Sequence, residues 1–495
     1  MPAPQPRSIV LCAVLCCCQV PACAERVSQP YPDPQPRELG LSLELVARVP
    51  DSRYGPARPN AIVPYRDGSG AAVVTDLKGV AYRLSPDGTL TSLLDARALV
   101  PTLTDGKEQG LQAAVPHPKR PGLLLTVTTE SANPDTEARF FALPMEQGLP
   151  IEHYDVVCEW DPVTGRRQVL LVIAKPRTDH NANEPLCLPD ASCLIPVGDG
   201  GNTAATGTVG ANGFGQRLDS PLGTLLRITP NGDGTYAIPA DNPFAQDDNP
   251  GTLAEIFAYG FRNPQRGYRA ADGTLYWIDM GQAIVEELNR VVRGGNYGWP
   301  LREGQYCVIA RDEKVLATCR PLRGFTDPIA AYGHGQGLID RLPRLAVSGV
   351  AVCTGCGIPD LEGAVLVVDL NSGALLHPLA DGNFEELRLN GKTLAQSLGS
   401  GRVETRLAVD ANGSLLILSR TDRNIYRIRQ SDAPPLTVGG GAPLIGLLLC
   451  AGGLLLGGLL LLRAHRRRSR GRRGQDAMGP SWNQPKPDPQ RRPDR

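Results

Sequence analysis

Three hydrogen-bonding side chains fall within four residues of the stretch Tyr259-Gly-Phe-Arg-Asn-Pro-Gln265: Arg262, Asn263 and Gln265. The ring of Pro264 disfavours a helical backbone at Asn263, so the segment reads as a short, stiff, extended or turning loop. An arginine fork engages carboxylates two bonds at a time, and each amide adds donors and an acceptor. Such a loop suits retention of a flat, polyanionic, oxygen-rich ligand. A polar turn bonded to its own backbone uses the same residue types, so the loop gains meaning only from what surrounds it.

The surroundings are short strands broken by Asp-Gly, Asn-Gly and Pro-rich turns. Ala71-Ala-Val-Val-Thr75, Val80-Ala-Tyr-Arg83 and Leu90-Thr-Ser-Leu-Leu94 read as three strands, with Ser85-Pro-Asp-Gly88 turning the second into the third. The device recurs over 271–279 and again over 410–428, where glycine takes the positive φ of a hairpin turn. Long amphipathic helices are scarce. Roughly 390 residues of repeated meanders suit an all-β, six-bladed β-propeller of about 60 residues per blade, loops included. A sandwich would use fewer, more evenly spaced strands, and a β-helix would show a shorter, stricter period. The expected domains are a signal peptide over 1–24, the propeller over 40–430, a linker over 431–442, a single transmembrane helix over 443–462 and a basic cytoplasmic tail over 463–495. Unstructured chain is expected around 25–38, at 431–441 and after about 474.

The two ends carry the compartment signals. Arg7, the apolar run 9–18 and the small residues Ala22-Cys23-Ala24 read as a secretory signal, with Cys23 as an alternative lipidation site. Residues 438–462 carry no charge, and the Leu-rich part is long enough at about 1.5 Å per residue to cross a bilayer core. Seven arginines between Arg463 and Arg473 follow, which puts the tail inside and the body outside. The glycines, apolar run and arginine cluster also resemble a bacterial C-terminal sorting signal. An exported protein, periplasmic or at the cell surface and anchored by its C-terminal helix, is the expectation. The formal net charge of zero conceals +8 from residue 463 onward and about −9 on the exported body. That balance excludes nucleic acid as an expected partner and assigns the basic tail to topology and anionic lipid. Seven of the 13 cysteines lie in the body. In an oxidising space Cys187 and Cys193, Cys307 and Cys319, and Cys353 and Cys356 are three candidate disulfides, leaving Cys158. A zinc site would need a second close pair beside Cys353-Thr-Gly-Cys356, and none is nearby.

Taken together, five motifs in order resemble the soluble, six-bladed quinoprotein aldose (glucose/sorbosone) dehydrogenases, and more distantly the hedgehog-interacting propellers. They are Glu108-Gln-Gly-Leu111 with His117-Pro118; His180-Asn181, Pro189-Asp190 and Gly198-Asp-Gly-Gly201; the 259–265 loop; Glu286-Glu-Leu-Asn289 with Gly294-Gly-Asn-Tyr-Gly-Trp-Pro300; and 357–363 with the 410–428 meander. The resemblance implies that His180 is the general base on a sugar's anomeric hydroxyl, a role suited to an imidazole near neutral pH, with Asp179 orienting it. It implies that Arg262, Asn263, Gln265 and Arg406 hold pyrroloquinoline quinone (PQQ). It implies Ca²⁺ on main-chain oxygens of Gly281 and Gln282, helped by Glu286 and Glu287, acting as a Lewis acid. Substrate and partner would be a sugar and an external electron acceptor. Trp299 reads as propeller wall and Asp199 as a turn former.

The sequence departs from the family at three places. Ala182 and Asn183 stand where two glycines usually follow His-Asn, and their side chains are expected to crowd the ligand. Asn371 replaces a lysine that meets the quinone, and Glu404 replaces one of two late arginines, so a carboxylate faces a tricarboxylate. These departures motivate the alternative of a non-catalytic propeller acting as a binding or scaffold module. A Ca²⁺-dependent propeller lactonase is a third reading that leaves the 259–265 loop unexplained.

Overall fold

The computed structural model describes residues 26–431, apart from 28–29, 107, 135–136, 144–148, 202–212, 283, 310–311, 319–323, 335–345 and 400–402. The expected signal peptide and the separate unit Thr437–Arg495, with the expected membrane span, lie outside the described residues. Among the described residues no helix is long and apolar enough to cross a membrane.

Six four-stranded blades follow one another along the chain. Their innermost strands are Pro59–Pro64, Leu111–Pro116, Leu186–Cys187, Pro264–Arg269, Val347–Val352 and Thr405–Val409, in blades 1 to 6. Each is followed by antiparallel neighbours, as in blade 1 with Ala72–Asp76, Val80–Leu84 and Leu90–Asp95. Blade 6 takes its outermost strand from the start of the chain: Leu41–Arg48 pairs antiparallel with Asn424–Gln430, and the Ser431 N–H donates to Gly40 O at 2.7 Å. The ring is thereby closed by hydrogen bonds between its first and last strands. The only α-helices among the described residues are single turns, Ala96–Leu99 and Leu394–Ser397.

The apolar runs of the middle strands follow from burial on both faces. Leu194 and Leu225 pack between blades 3 and 4 with Phe261 and Trp277, while the adjacent Ile195 and Leu226 pack toward blade 2 with Val127 and Leu171. Successive residues of a strand point to opposite faces, so a strand between two blades needs apolar residues at every position.

Three features differ from the expectation. Residues 25–38 are not structureless: Gln35–Leu39 adds a fifth, parallel strand to blade 5 against Phe384–Leu389, and Arg26–Val27 pairs with Asp312–Ala317. The Arg-Glu-Leu of the first segment gives that strand one apolar residue, Leu39, which is buried; backbone pairing to an open edge supplies the rest. Blade 2 gains a parallel fifth strand, Arg139–Phe141. A small seventh sheet, built from Arg26–Val27, Arg302–Glu303, Tyr306–Ile309 and Asp312–Ala317, sits in an insertion of blade 4. Two expected disulfides are formed, Cys187–Cys193 across a two-residue strand pair and Cys353–Cys356. Cys307 is disulfide-bonded, Cys319 lies outside the described residues, and Cys158 is a buried free thiol.

Strand direction sorts the loops onto two mouths of the central channel. Loops entering an innermost strand, and turns between second and third strands, emerge at one end. Turns between first and second strands emerge at the other. His180, Arg262, Glu404 and Asn60 precede or begin innermost strands, and Asp199, Gly281 and Asn371 lie between second and third strands. All of them therefore reach the same mouth.

Candidate active site

His180 sits in the loop that carries the chain from blade 2 into the innermost strand of blade 3, buried, at φ 51°. A left-handed backbone at a non-glycine residue persists only where its surroundings over-determine it. Here the His180 N–H donates to Glu108 Oε2 (3.1 Å), and its carbonyl accepts from Lys175 Nζ (2.7 Å). Lys175 is fully buried, lies 3.6 Å from Asp155 Oδ2 and also reaches Gly198 O at 3.4 Å. Burial lowers the Lys175 pKa, and Asp155, Asp199 and Asp179 oppose that shift. A side chain at Gly198 would collide with the His180 carbonyl, its Cβ lying 2.4 Å away, which is why this strand end carries glycine.

The carboxylate on the His180 ring belongs to Asp199, not Asp179. Nδ1 and Asp199 Oδ1 are 2.6 Å apart, and Asp199 Oδ2 accepts from Trp299 Nε1 at 2.7 Å. Burial alone would raise the Asp199 carboxyl. The His180 ring, Arg262 and the Gly201 N–H overcome it and hold the group down at about 2. Asp199 is thus a charged, oriented acceptor that fixes the proton on Nδ1 and presents Nε2 as the basic nitrogen. Asp179, one residue before His180, is turned away by the unusual backbone; its buried Oδ1 has no partner among the described residues. The Gly198-Asp-Gly-Gly201 motif carried the signal for Asp199. Nothing local distinguishes a turn aspartate from a histidine partner that lies 19 positions back in the chain. Trp299, read as wall, is wall and hydrogen-bond donor at once.

Arg262 lies against the Trp299 ring, its guanidinium carbon 5.6 Å from the ring centroid. Nη1 donates to Met280 O (2.9 Å) and Gly281 O (2.8 Å), and Nη2 to Gln282 Oε1. The Gly281-Gln282 turn, expected to offer oxygens to a cation, offers them to this guanidinium. Arg262 Nε and Asn263 Oδ1 remain buried without partners among the described residues. Gln265 is the second residue of the innermost strand and is buried, with Oε1 3.4 Å from Arg266 Nη1.

The two glutamates expected to act together are separated by strand geometry. Neighbours within Val285–Val291 point to opposite faces. Glu286 turns to His334 Nε2 (2.7 Å) and the Val347 N–H (2.9 Å), away from the turn, and burial raises its carboxyl to about 7. Glu287 turns toward Gly281, where Asp279 and Glu303 join it around a cavity of about 10 Å³. Burial lifts Glu287 to about 7 and, with Glu287 beside it, lifts Asp279 well above the usual carboxylate range.

Across the same mouth three arginines, Arg266 and Arg406 buried and Arg420 partly so, converge on Asn60. Arg266 Nη2 donates to Asn60 O at 2.8 Å, and Arg406 Nη2 (3.5 Å) and Arg420 Nη2 donate to Asn60 Oδ1. Burial depresses Arg406 far below its ordinary value, with Arg420 and Arg266 adding repulsion, and brings Arg420 to about 9. Arg406 Nε is a further buried donor without a partner among the described residues. Asn60 Nδ2 donates to Gln112 O (2.7 Å), Gln112 Nε2 to Glu108 O (2.6 Å), and Glu108 Oε2 accepts from His180 N–H, so a hydrogen-bonded chain joins the arginines to His180. Sequence reasoning found Arg406 and missed Arg420 and Arg266, which sit in no motif. Glu404 holds φ 42°, and its Oε2 lies 3.9 Å from Arg420 Nη1.

Ala182 does not crowd this mouth. Its side chain is fully buried in the core between blades 2 and 3, and its N–H donates to Asp155 Oδ2 at 2.7 Å. Asn183 is buried too, with its N–H on Pro196 O (3.1 Å) and Oδ1 accepting from Glu184 N–H (3.0 Å).

Residues 158–427 match the family model described as Glucose / Sorbosone dehydrogenase. The uncharacterized protein slr1608 of Synechocystis is 31% identical over 215 residues, 42% of this chain and 47% of that protein. The HIPL1 protein of Arabidopsis thaliana is 34% identical over 149 residues, 27% of this chain and 20% of that protein. These matches thus span less than half the length of either relative. Among solved structures, the PQQ-bound aldose sugar dehydrogenase of Streptomyces coelicolor superposes with a TM-score of 0.52 at 20% identity, over 79% of this chain and 99% of that one, a likeness of fold. With more than half of its length matched by the family model, the chain belongs to the glucose/sorbosone dehydrogenase family.

Proposed function

We propose that the protein is a PQQ-dependent aldose sugar dehydrogenase that oxidises the anomeric carbon of a sugar to a lactone and passes electrons to an external acceptor. The observation that carries this is the set of buried, unsatisfied polar atoms at the His180 mouth: Arg262 Nε, Asn263 Oδ1 and Arg406 Nε. Buried polar groups are nearly always paired, so three orphans on residues facing one mouth mark where a polar ligand belongs. Two guanidinium donors fit a carboxylate- and carbonyl-rich quinone, and the Asn263 amide oxygen fits an N–H or O–H of the bound ligands. The charge reversed at Glu404 is offset by Arg420, which neighbours it.

PQQ, when bound, supplies the two-electron acceptor for the hydride that leaves the sugar's C1. His180 Nε2 takes the proton of the anomeric hydroxyl. Asp199 keeps the ring's other proton on Nδ1 and stabilises the imidazolium that results, and Trp299 Nε1 fixes the carboxylate. Lys175 and Glu108 hold the His180 backbone in its unusual conformation. Arg262 bridges the ring wall of Trp299 and the 280–282 turn, where it orients the ligand and excludes water. Ca²⁺ belongs to the proposal on the Glu287 side of that turn, where it would supply Lewis acidity and neutralise buried carboxylates; the Gly281 and Gln282 oxygens are taken by Arg262, and Glu286 is engaged elsewhere. Export and anchoring through 443–462 complete the reading, and two formed disulfides accord with an oxidising compartment.

The test is titration of PQQ, with and without Ca²⁺, into purified protein, followed by dye reduction with a panel of aldoses. Saturable binding and dye reduction that His180→Ala abolishes, with binding retained, are expected. Absence of both binding and turnover would sink the reading.

A further inference from the structure

The opposite mouth of the channel is lined by a different set of residues. A cavity of about 960 Å³ opens there, and all six innermost strands line it, through Val63, Val115, Leu186, Gly267, Val350 and Leu407. Its size lies at the upper end of small-molecule pockets, about 300–1,000 Å³. Neither His180 nor Arg262 reaches it. Its floor is the buried pair of Arg266 and Glu184, 3.3 Å apart.

The walls are apolar and the rim is basic. Arg66, Arg83, Lys119, Arg120 and Arg269 line the opening, and none is in an ion pair among the described residues. Arg83 lies over the Tyr65 ring at 4.6 Å. Lys119 Nζ and Arg120 Nε spend hydrogen bonds on Asn231, at 3.2 Å each. Arg269 reaches only Ala270 O, at 3.5 Å. Two of the acids of the lining are ion-paired, Glu184 with Arg266 and Asp410 with Arg427 at 3.3 Å, while the exposed Asp67 accepts from the Ser69 N–H at 2.9 Å. Five cations with no close ion pair among the described residues, against Asp67 near Arg83 and Asp233 near Arg120, leave a local positive surplus on a body of net negative charge. Arginines so placed engage a carboxylate, sulfonate or phosphate by charge-assisted hydrogen bonds, while the apolar shaft takes a hydrocarbon or aromatic body.

We propose that this mouth binds an amphiphilic organic anion, with its apolar body in the shaft and its anionic group among Arg66, Arg83 and Arg269. The site is independent of the quinone reading. Its occupant would enter from the face opposite the sugar and stop at the Arg266–Glu184 floor.

Paired fluorescent probes test it: 8-anilinonaphthalene-1-sulfonate and the uncharged N-phenyl-1-naphthylamine, which share an aromatic body and differ by the sulfonate. The full-length protein should bind the sulfonate saturably at one site and about tenfold more tightly than the neutral probe, the scale of one good charged contact. Arg66→Gln with Arg269→Gln should erase that preference while leaving neutral-probe binding and the thermal midpoint unchanged. A cavity-filling Val350→Phe should weaken both probes. His180→Ala should change neither. Absence of saturable binding, equal affinity for the two probes, or a preference that survives the double substitution would overturn the proposal.

Discussion

The two mouths of the channel solve the problem of buried charge in opposite ways. At the His180 mouth, cations and anions are interleaved: Asp199 under His180, Lys175 beside Asp155, Glu404 near Arg420. At the far mouth Glu184 and Asp410 are ion-paired locally and bases outnumber the remaining acid on an apolar shaft. The first arrangement suits chemistry, because each charged group sets the state of another. The second suits capture, because surplus charge on an apolar wall recognises a class of ligand without acting on it.

That contrast can be broken most sharply at His180. His180→Ala should lower dye-linked sugar oxidation by about 10²–10⁴-fold, the usual weight of a general base, and leave far-mouth probe binding untouched; a matching loss at both mouths would make His180 structural. Asp199→Asn should lower kcat by about 10²-fold with KM nearly constant, since it releases the ring rather than the substrate. The same substitution has a signature in acid. The Asp199 carboxyl, held near 2 in the folded protein against an ordinary 3.8, contributes stability that is full above that ordinary value and lost as pH falls toward 2. Urea midpoints should therefore separate wild type from Asp199→Asn at pH 5 and draw together by about pH 2–3.

Arg420→Gln should weaken PQQ binding by about tenfold through loss of a buried charged donor, and Glu404→Gln should strengthen it by a smaller factor; titration on apoprotein reads both. If Arg420→Gln binds as wild type does, Arg406 alone carries the acid groups. The smallest effect is at Ala182. Because its methyl faces the core, Ala182→Gly should leave PQQ affinity unchanged and cost about 0.5–1 kcal/mol of stability, measured by chemical denaturation.

The propeller was legible because its strands are buried on both faces and its turns are punctuated by glycine. Every blade shows that pattern locally. The His180 mouth was legible in part, since Arg262, Asn263 and the 180–183 loop enter it from contiguous segments. Asp199 and Arg420 were not, because their partners lie in other loops, and an aspartate in Gly-Asp-Gly-Gly looks the same whether it caps a turn or holds an imidazole. The Glu286-Glu287 pair was misread for a different reason: proximity in sequence is opposition in a strand. The Ala182 substitution likewise looked like an obstruction only while the direction of its Cβ was unknown. The far mouth takes only fragments of motifs, such as His117-Pro118 and Pro189, and none of them announces a binding site. Residues from all six blades make it, and no window of sequence contains two walls.

The pairing of Leu41–Arg48 with Asn424–Gln430 has a consequence for how the molecule comes into being. Leu41–Arg48 is among the earliest segments of the propeller to be made, and its partner is the last, so it must wait for nearly the whole domain before it can pair. Until then blade 6 does not exist and blade 1 has no neighbour on one side, leaving Val74, Tyr82 and Leu84 with an uncovered flank. Long-range closure of this kind is slow, and the waiting state exposes both an apolar face and an open strand edge. Assembly of the ring is thus a vectorial event with a single, late latch.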